Sequence, residues 1–161
     1  MGNRLLGDGL GYGSLIFGES LIDRFQRDVL SQAGVEYVVV KIGANDIIHP
    51  VCNDVMEMYP GIKQPTWQEI CLGYRKLFQM CHNAGIKVIA LSITPWKGTT
   101  RDYLGTGPKY VRTDAQFKAD WAIAENVNKW LATTTEHDGF FDLNHSLPPV
   151  PAAEAAVPEA V

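Results

Sequence analysis

The sequence has few of the residues from which metal sites and disulfide frameworks are built. It contains three cysteines and four histidines among 161 residues. Cys52, Cys71 and Cys81 have no metal-ligand spacing, and an odd number of cysteines is a poor disulfide framework. We expect Cys71 and Cys81, which fall in one helical segment, to fill small apolar spaces. The sequence therefore predicts neither a metal nor a cofactor.

The chain also has no large excess of charge of one sign. It contains 14 Lys and Arg residues and 18 Asp and Glu residues, for a net charge of −4. Without a stripe of basic residues, no nucleic-acid partner is expected. No apolar run is long enough to span a bilayer, so no membrane association is expected either. The residues after Met1 do not form a charged-then-apolar leader, and the compartment stays open.

What the sequence does contain is apolar residues, 46% of the chain, in alternating helical and strand patterns. Helical spacing predicts three helices, over residues 19–33, 66–84 and 113–133. Apolar runs predict three strands, over residues 37–42, 87–93 and 140–143. The first strand is apolar almost throughout, which indicates burial on both faces of a sheet. This alternation predicts an α/β domain with a parallel sheet.

Local signals mark the ends of these elements. Thr66-Trp67-Gln68-Glu69 is a capping box that opens the second helix. Residues 49–65 contain three prolines and predict a long connection of the kind that shapes a site. Residues 148–161 use only Pro, Ala, Val and Glu, and are expected to be disordered. We therefore expect a domain over residues 1–147 and a tail over residues 148–161.

The first strand runs into Lys41-Ile42-Gly43-Ala44-Asn45-Asp46, which contains a Gly-x-Asn-Asp turn. An Asn just beyond the carboxyl end of a buried strand can direct its side-chain amide into a cleft, where it can stabilise an oxyanion. Gly and Asn are also preferred in ordinary tight turns. The neighbouring motifs strengthen the functional interpretation.

Those motifs are Gly2-Asn3-Arg4-Leu5-Leu6-Gly7-Asp8-Gly9 and residues 21–35 upstream, with residues 86–89, 94–98 and 124–131 downstream. In this order they resemble the SGNH hydrolases, the GDSL-type lipases and esterases, over roughly residues 2–147. The resemblance implies a flavodoxin-like three-layer sandwich, of which the three predicted strands are the last three of five. It also implies hydrolysis of a small-molecule acyl ester through a serine nucleophile.

The resemblance assigns roles by position. It implies that Gly2 gives its backbone N–H, and Asn45 its side-chain amide, to the oxyanion hole. The family's serine block, which should precede Gly2, and its Asp-x-x-His block, which should follow the last strand, are not found at those places. The resemblance therefore implies a chain truncated at both ends, with part of an oxyanion hole and without nucleophile or base.

Two motifs leave an alternative open, a rearranged but active hydrolase. Gly18-Glu19-Ser20-Leu21 is similar to the serine block, although Ser20 also suits the start of a helix, with Glu19 near its positive end. Asp142-Leu143-Asn144-His145 has the Asp-x-x-His spacing, which would let the carboxylate orient the imidazole. In this alternative Ser20 is the nucleophile and acts with Asp142 and His145.

A further alternative is a non-catalytic binding module whose cleft is lined by Trp96, Tyr103 and residues 49–65. In the family's arrangement, the strand at residues 37–42 would pair with a central strand that is not found here. The backbone of Val38, Val39 and Val40 would then lie on an open sheet edge. Because such edges pair with other chains, we expect marginal stability or self-association.

Overall fold

The computed structural model describes residues 4–8, 18–97 and 110–146. Its sheet has three parallel strands in the order β1-β2-β3, with Tyr37 aligned with Lys87 and Ile89 aligned with Gly139. The strands are Tyr37–Val40 (β1), Lys87–Leu91 (β2) and Gly139–Phe141 (β3). The prediction of an α/β fold with an incomplete parallel sheet is confirmed.

Helices connect and flank the strands. In chain order they are Leu21–Phe25 (α1), Ala44–Ile48 (α2), Asn53–Met58 (α3), Trp67–Asn83 (α4), Asp114–Thr133 (α5) and Leu143–Ser146 (α6). A π-helical turn, Gln26–Leu30, extends α1. Both long helices begin with a capping box, formed by Thr66 with Glu69 and by Thr113 with Gln116. The capping box predicted at Thr66 is confirmed.

Several predicted boundaries differ from the structure, and one lies outside the described residues. The connection predicted over residues 49–65 is partly helical, because a 3-10 turn, His49–Val51, and α3 lie within it. Pro50 fits there because it stands in the first turn, where its missing N–H has no helical partner to lose. The strand predicted over residues 140–143 ends at Phe141, and α6 follows. The tail predicted over residues 148–161 lies outside the described residues.

The core lies on one face of the sheet. Helices α4 and α5 pack against each other, α4 packs against β2, and α1 packs against α4. Val40, Val88 and Ala90 are buried on this side of the strands and belong to the same apolar cluster as the helices. Cys71 and Cys81 are free and buried in it, which confirms that they fill apolar space.

The opposite face of the sheet is more open. Tyr37 and Val39 are 57% and 60% exposed, and Phe141 on β3 is 51% exposed. The prediction that β1 is buried on both faces is therefore wrong. A continuous apolar run indicates a strand buried on both faces only where helices cover both, and here the two long helices cover the face of Val40.

Candidate functional site

A depression of about 160 Å³ lies beyond the carboxyl ends of β1 and β2. Residues that follow these two strands line it: Lys41, Ile42, Gly43, Ala44, Asn45, Ile93 and Thr94. Asn45 is therefore in a concave surface at the edge of the sheet where open α/β proteins bind their ligands. The sequence-predicted oxyanion donor and a potential ligand site coincide.

A left-handed glycine shapes the turn that carries Asn45. Gly43 has a φ of 106° and forms the N-cap of α2. The positive φ favours glycine here, and a Cβ added to Gly43 would lie only 2.9 Å from Cδ1 of Ile93, so that methyl group would also have to shift. Asn45 consequently occupies the first turn of α2, directly after a bend that other residues adopt only with strain.

Asp46, next to Asn45, is fully buried and holds a distant segment of the chain. Its carboxylate oxygens accept hydrogen bonds from the backbone N–H of Leu5 at 2.8 Å and of Leu6 at 2.9 Å, and Nε of Arg4 lies 3.9 Å away. Burial raises the pKa of Asp46, and these hydrogen bonds and Arg4 only partly oppose that shift. The Gly-x-Asn-Asp turn is thus joined to the segment that follows Gly2, and Gly2 itself lies outside the described residues.

Side chains from three helices hold the backbone around the depression. On the β1 side, the hydroxyl of Tyr74 donates to the carbonyl of Ile42 at 2.6 Å. On the β2 side, Asn128 accepts from the N–H of Ile93 at 2.8 Å and donates to its carbonyl at 2.9 Å. Asn144 donates to the same carbonyl at 3.1 Å. Sequence reasoning assigned no role to these asparagines.

Ser20 is placed at the start of α1. Its hydroxyl donates to Oδ2 of Asp23 at 2.6 Å and accepts from the N–H of Asp23 at 3.2 Å, and the residue is 1% exposed. Its own N–H donates to Oδ1 of Asp8 at 2.9 Å. Ser20 therefore has the helix-start position that the sequence also indicated, with its hydroxyl engaged in capping.

Asp142 and His145 are in contact just beyond β3. Nδ1 of His145 lies 2.6 Å from Oδ2 of Asp142, and the imidazole is 86% exposed. The residue before His145, Asn144, bonds to Ile93, which lines the depression. The Asp-x-x-His spacing thus gives an oriented imidazole at the same edge of the sheet as Asn45.

Trp96 is 6% exposed and is not among the residues that line the depression. Its indole N–H donates to the hydroxyl of Tyr110 at 2.9 Å, and that hydroxyl donates to Asp120 at 3.0 Å. Asp120 is buried and also accepts from Arg112 at 2.9 and 3.2 Å and from Gln64 at 3.1 Å. This network links the segments that carry Gln64, Trp96 and Tyr110 to Asp120 on α5, so the role of Trp96 is structural.

Among residues 4–8, 18–97 and 110–146, no group of His, Cys, Asp and Glu side chains converges on a metal position. In the same residues, no helix combines the length and apolar character needed to cross a membrane. Tyr103 lies outside them. No protein-family model matches the chain, and no curated protein matches it. Function is therefore inferred from the geometry of the depression and from the motifs that resemble SGNH hydrolases.

Proposed function

We propose that this domain serves ester hydrolysis of the SGNH type and that the side-chain amide of Asn45 binds the oxyanion. The observation that carries the proposal is the place of Asn45, in a depression at the carboxyl ends of β1 and β2. When an acyl ester is attacked there, negative charge develops on its carbonyl oxygen. A fixed amide donor stabilises that charge more than it stabilises the substrate, which lowers the barrier.

The surroundings of Asn45 support a fixed donor. The bend at Gly43, the Tyr74 hydroxyl on Ile42 and the buried Asp46 hold the backbone on both sides of it. Lys41 lines the same depression and adds a positive charge that attracts an anion. A donor held before the substrate arrives needs no reorganisation during the reaction.

His145 is the side chain that best suits the role of base in this reaction. With Nδ1 directed to Asp142 at 2.6 Å, the neutral imidazole leaves Nε2 to accept a proton. Ser20 suits the nucleophile's role poorly, because it would have to leave a buried position and lose its hydrogen bonds to Asp23. The geometry thus supports the donor and the base, and argues against Ser20.

A tetrahedral phosphonate monoester tests the oxyanion donor without requiring turnover, since it resembles the anionic intermediate. We expect p-nitrophenyl methylphosphonate to shift the NMR signals of residues 41–45, 93 and 94. Asn45→Ala should weaken its binding by about tenfold or more, because one hydrogen bond to a charged group is lost. The matched control is Asn83→Ala, at the exposed end of α4, which should bind the phosphonate as the wild type does.

Equal binding by folded Asn45→Ala and wild type would contradict the proposal. Hydrolysis of p-nitrophenyl acetate by the same proteins separates the remaining alternatives. In turnover with water as the nucleophile, His145 takes a proton from the water that attacks the carbonyl carbon, and acetate and p-nitrophenol are released. His145→Ala should remove this activity and Ser20→Ala should retain it. Loss of turnover in a folded Ser20→Ala protein would support the rearranged hydrolase. Phosphonate binding without turnover would support either a chain that lacks nucleophile and base or the binding module.

A further inference from the structure

Asn45 lies in a helix that is too short to be stable by itself. The helix α2 has five residues, and a helix of this length forms little more than one turn. Its orientation therefore depends on bonds to other parts of the chain. Asp46 supplies such bonds on one side, because its carboxylate accepts from the N–H groups of Leu5 and Leu6. A second anchor acts on the end of the helix.

The second anchor is the side-chain amide of Gln64, which bridges α2 and α5. Nε2 of Gln64 donates to the carbonyl of Ile47 at 2.9 Å and to Oδ1 of Asp120 at 3.1 Å. Ile47 is near the end of α2, where backbone carbonyls have no partner within the helix. Both acceptors require the NH₂ end of the amide, which fixes its orientation. Because α2 also packs against α5, the bridge spans an existing contact.

Asp120 is a firm point of attachment for this amide. It is buried, and its carboxylate also accepts from Arg112 at 2.9 and 3.2 Å and from the hydroxyl of Tyr110 at 3.0 Å. Arg112 contacts both carboxylate oxygens, and a pair of this kind fixes the plane of the carboxylate. The hydrogen bond from Gln64 is therefore made to an acceptor that four other contacts cannot easily release, and α5 holds that acceptor in place.

We propose that Gln64 is a positioning residue for Asn45. It holds the end of α2 to Asp120, while Asp46 holds the other side of the helix, so that the amide of Asn45 keeps its place in the depression. The inference rests on the proposed role of Asn45 as the oxyanion donor. Because such a donor is effective only where it need not reorganise, loosening α2 should weaken the binding of an oxyanion.

A double-mutant cycle on the binding of p-nitrophenyl methylphosphonate tests the inference. Gln64→Met keeps the length of the side chain and removes both of its hydrogen bonds. We expect it to weaken binding about fivefold in the wild-type background and by less than about twofold in the Asn45→Ala background, because it acts through Asn45. Gln79→Met, at an exposed position on α4, is the matched control and should bind the phosphonate as the wild type does.

Backbone ¹⁵N relaxation of the free protein gives a readout that needs no ligand. The N–H of Asn45 should have an order parameter of about 0.85 in the wild type and in Gln79→Met, and a value closer to about 0.6 in Gln64→Met. A variant that is only less stable would keep the wild-type value, since relaxation reports fast motion within the folded state. Gln64→Asn retains the amide on a shorter side chain and serves as the second variant, with a change in the same direction.

The outcomes separate this inference from the proposed function. Equal phosphonate binding by the wild type and folded Gln64→Met, or an unchanged order parameter at Asn45, would overturn the inference and leave the proposed function in place. Equal weakening by Gln64→Met with and without the Asn45 side chain would also overturn it, because Gln64 would then act by another route. A wild type that does not bind the phosphonate would contradict the proposed function, and the inference with it.

Discussion

Replacing Asp46 by alanine should destabilise the protein strongly. The carboxylate accepts hydrogen bonds from Leu5 and Leu6, and alanine would leave both N–H groups without an acceptor. Each unpaired group costs about 1–3 kcal/mol, so the free energy of unfolding should fall by about 2–6 kcal/mol. Asp46→Asn retains one oxygen acceptor and should lose roughly half as much.

Urea titration followed by tryptophan fluorescence measures these free energies. Asp114→Asn is the matched control, because that carboxylate is 89% exposed in its ion pair with Lys97, and its midpoint should stay near that of the wild type. A loss below about 0.5 kcal/mol for Asp46→Ala would refute the reasoning, since changes of that size are typical of surface positions.

The same carboxylate should give a characteristic pH dependence. Because burial raises the pKa of Asp46, the folded state holds its proton to a higher pH than the unfolded chain does. The folded state then binds more protons in the window between the ordinary and the raised pKa, so stability falls as pH rises through it. The advantage of the wild type over Asp46→Asn should therefore shrink with rising pH, and an advantage that grew would contradict the assignment.

Two further substitutions follow from single contacts. Gly43→Ala places a side chain at a φ of 106° and 2.9 Å from Ile93. It should lower the free energy of unfolding by about 1–3 kcal/mol and weaken phosphonate binding. An unchanged melting temperature would contradict this prediction. Hydrogen bonds with the N–H of Val88, and then with His82, lower the pKa of Asp138. The ionised carboxylate therefore stabilises the folded state at neutral pH, and this stabilisation is lost as pH falls through that pKa. In acid titration from about pH 4 to pH 2, the wild type should lose more stability than Asp138→Asn, and equal losses would contradict the role of these hydrogen bonds.

The features predicted best from the sequence are those that neighbouring residues determine. The capping box at Thr66 and Glu69 is local, and so is the turn at Gly43 that precedes Asn45. The depression itself depends on Asn128 and Asn144, which contact Ile93 from 35 and 51 residues away. No local pattern distinguishes those asparagines from others on a helix surface.

Burial of a strand is the other property that its own sequence does not determine. Tyr37-Val38-Val39-Val40 has the composition of a strand covered on both sides, yet Val39 is 60% exposed and Val40 is 4% exposed. The difference arises because α4 and α5 pack on one face, and the order and handedness of the connections decide that packing. Composition therefore predicts that a strand forms, whereas the packing of the rest of the fold decides whether each of its faces is buried or exposed.

The Trp96–Tyr110 hydrogen bond has a consequence for how this domain can vary. It ties together the two ends of the segment between these residues, and Asp120 fixes the Tyr110 end to α5. Because this hydrogen bond fixes the distance between Trp96 and Tyr110, a change in the number of residues between them should leave the packing of both side chains in place. New sequence inserted between them would therefore begin and end at a boundary that Trp96, Tyr110 and Asp120 hold.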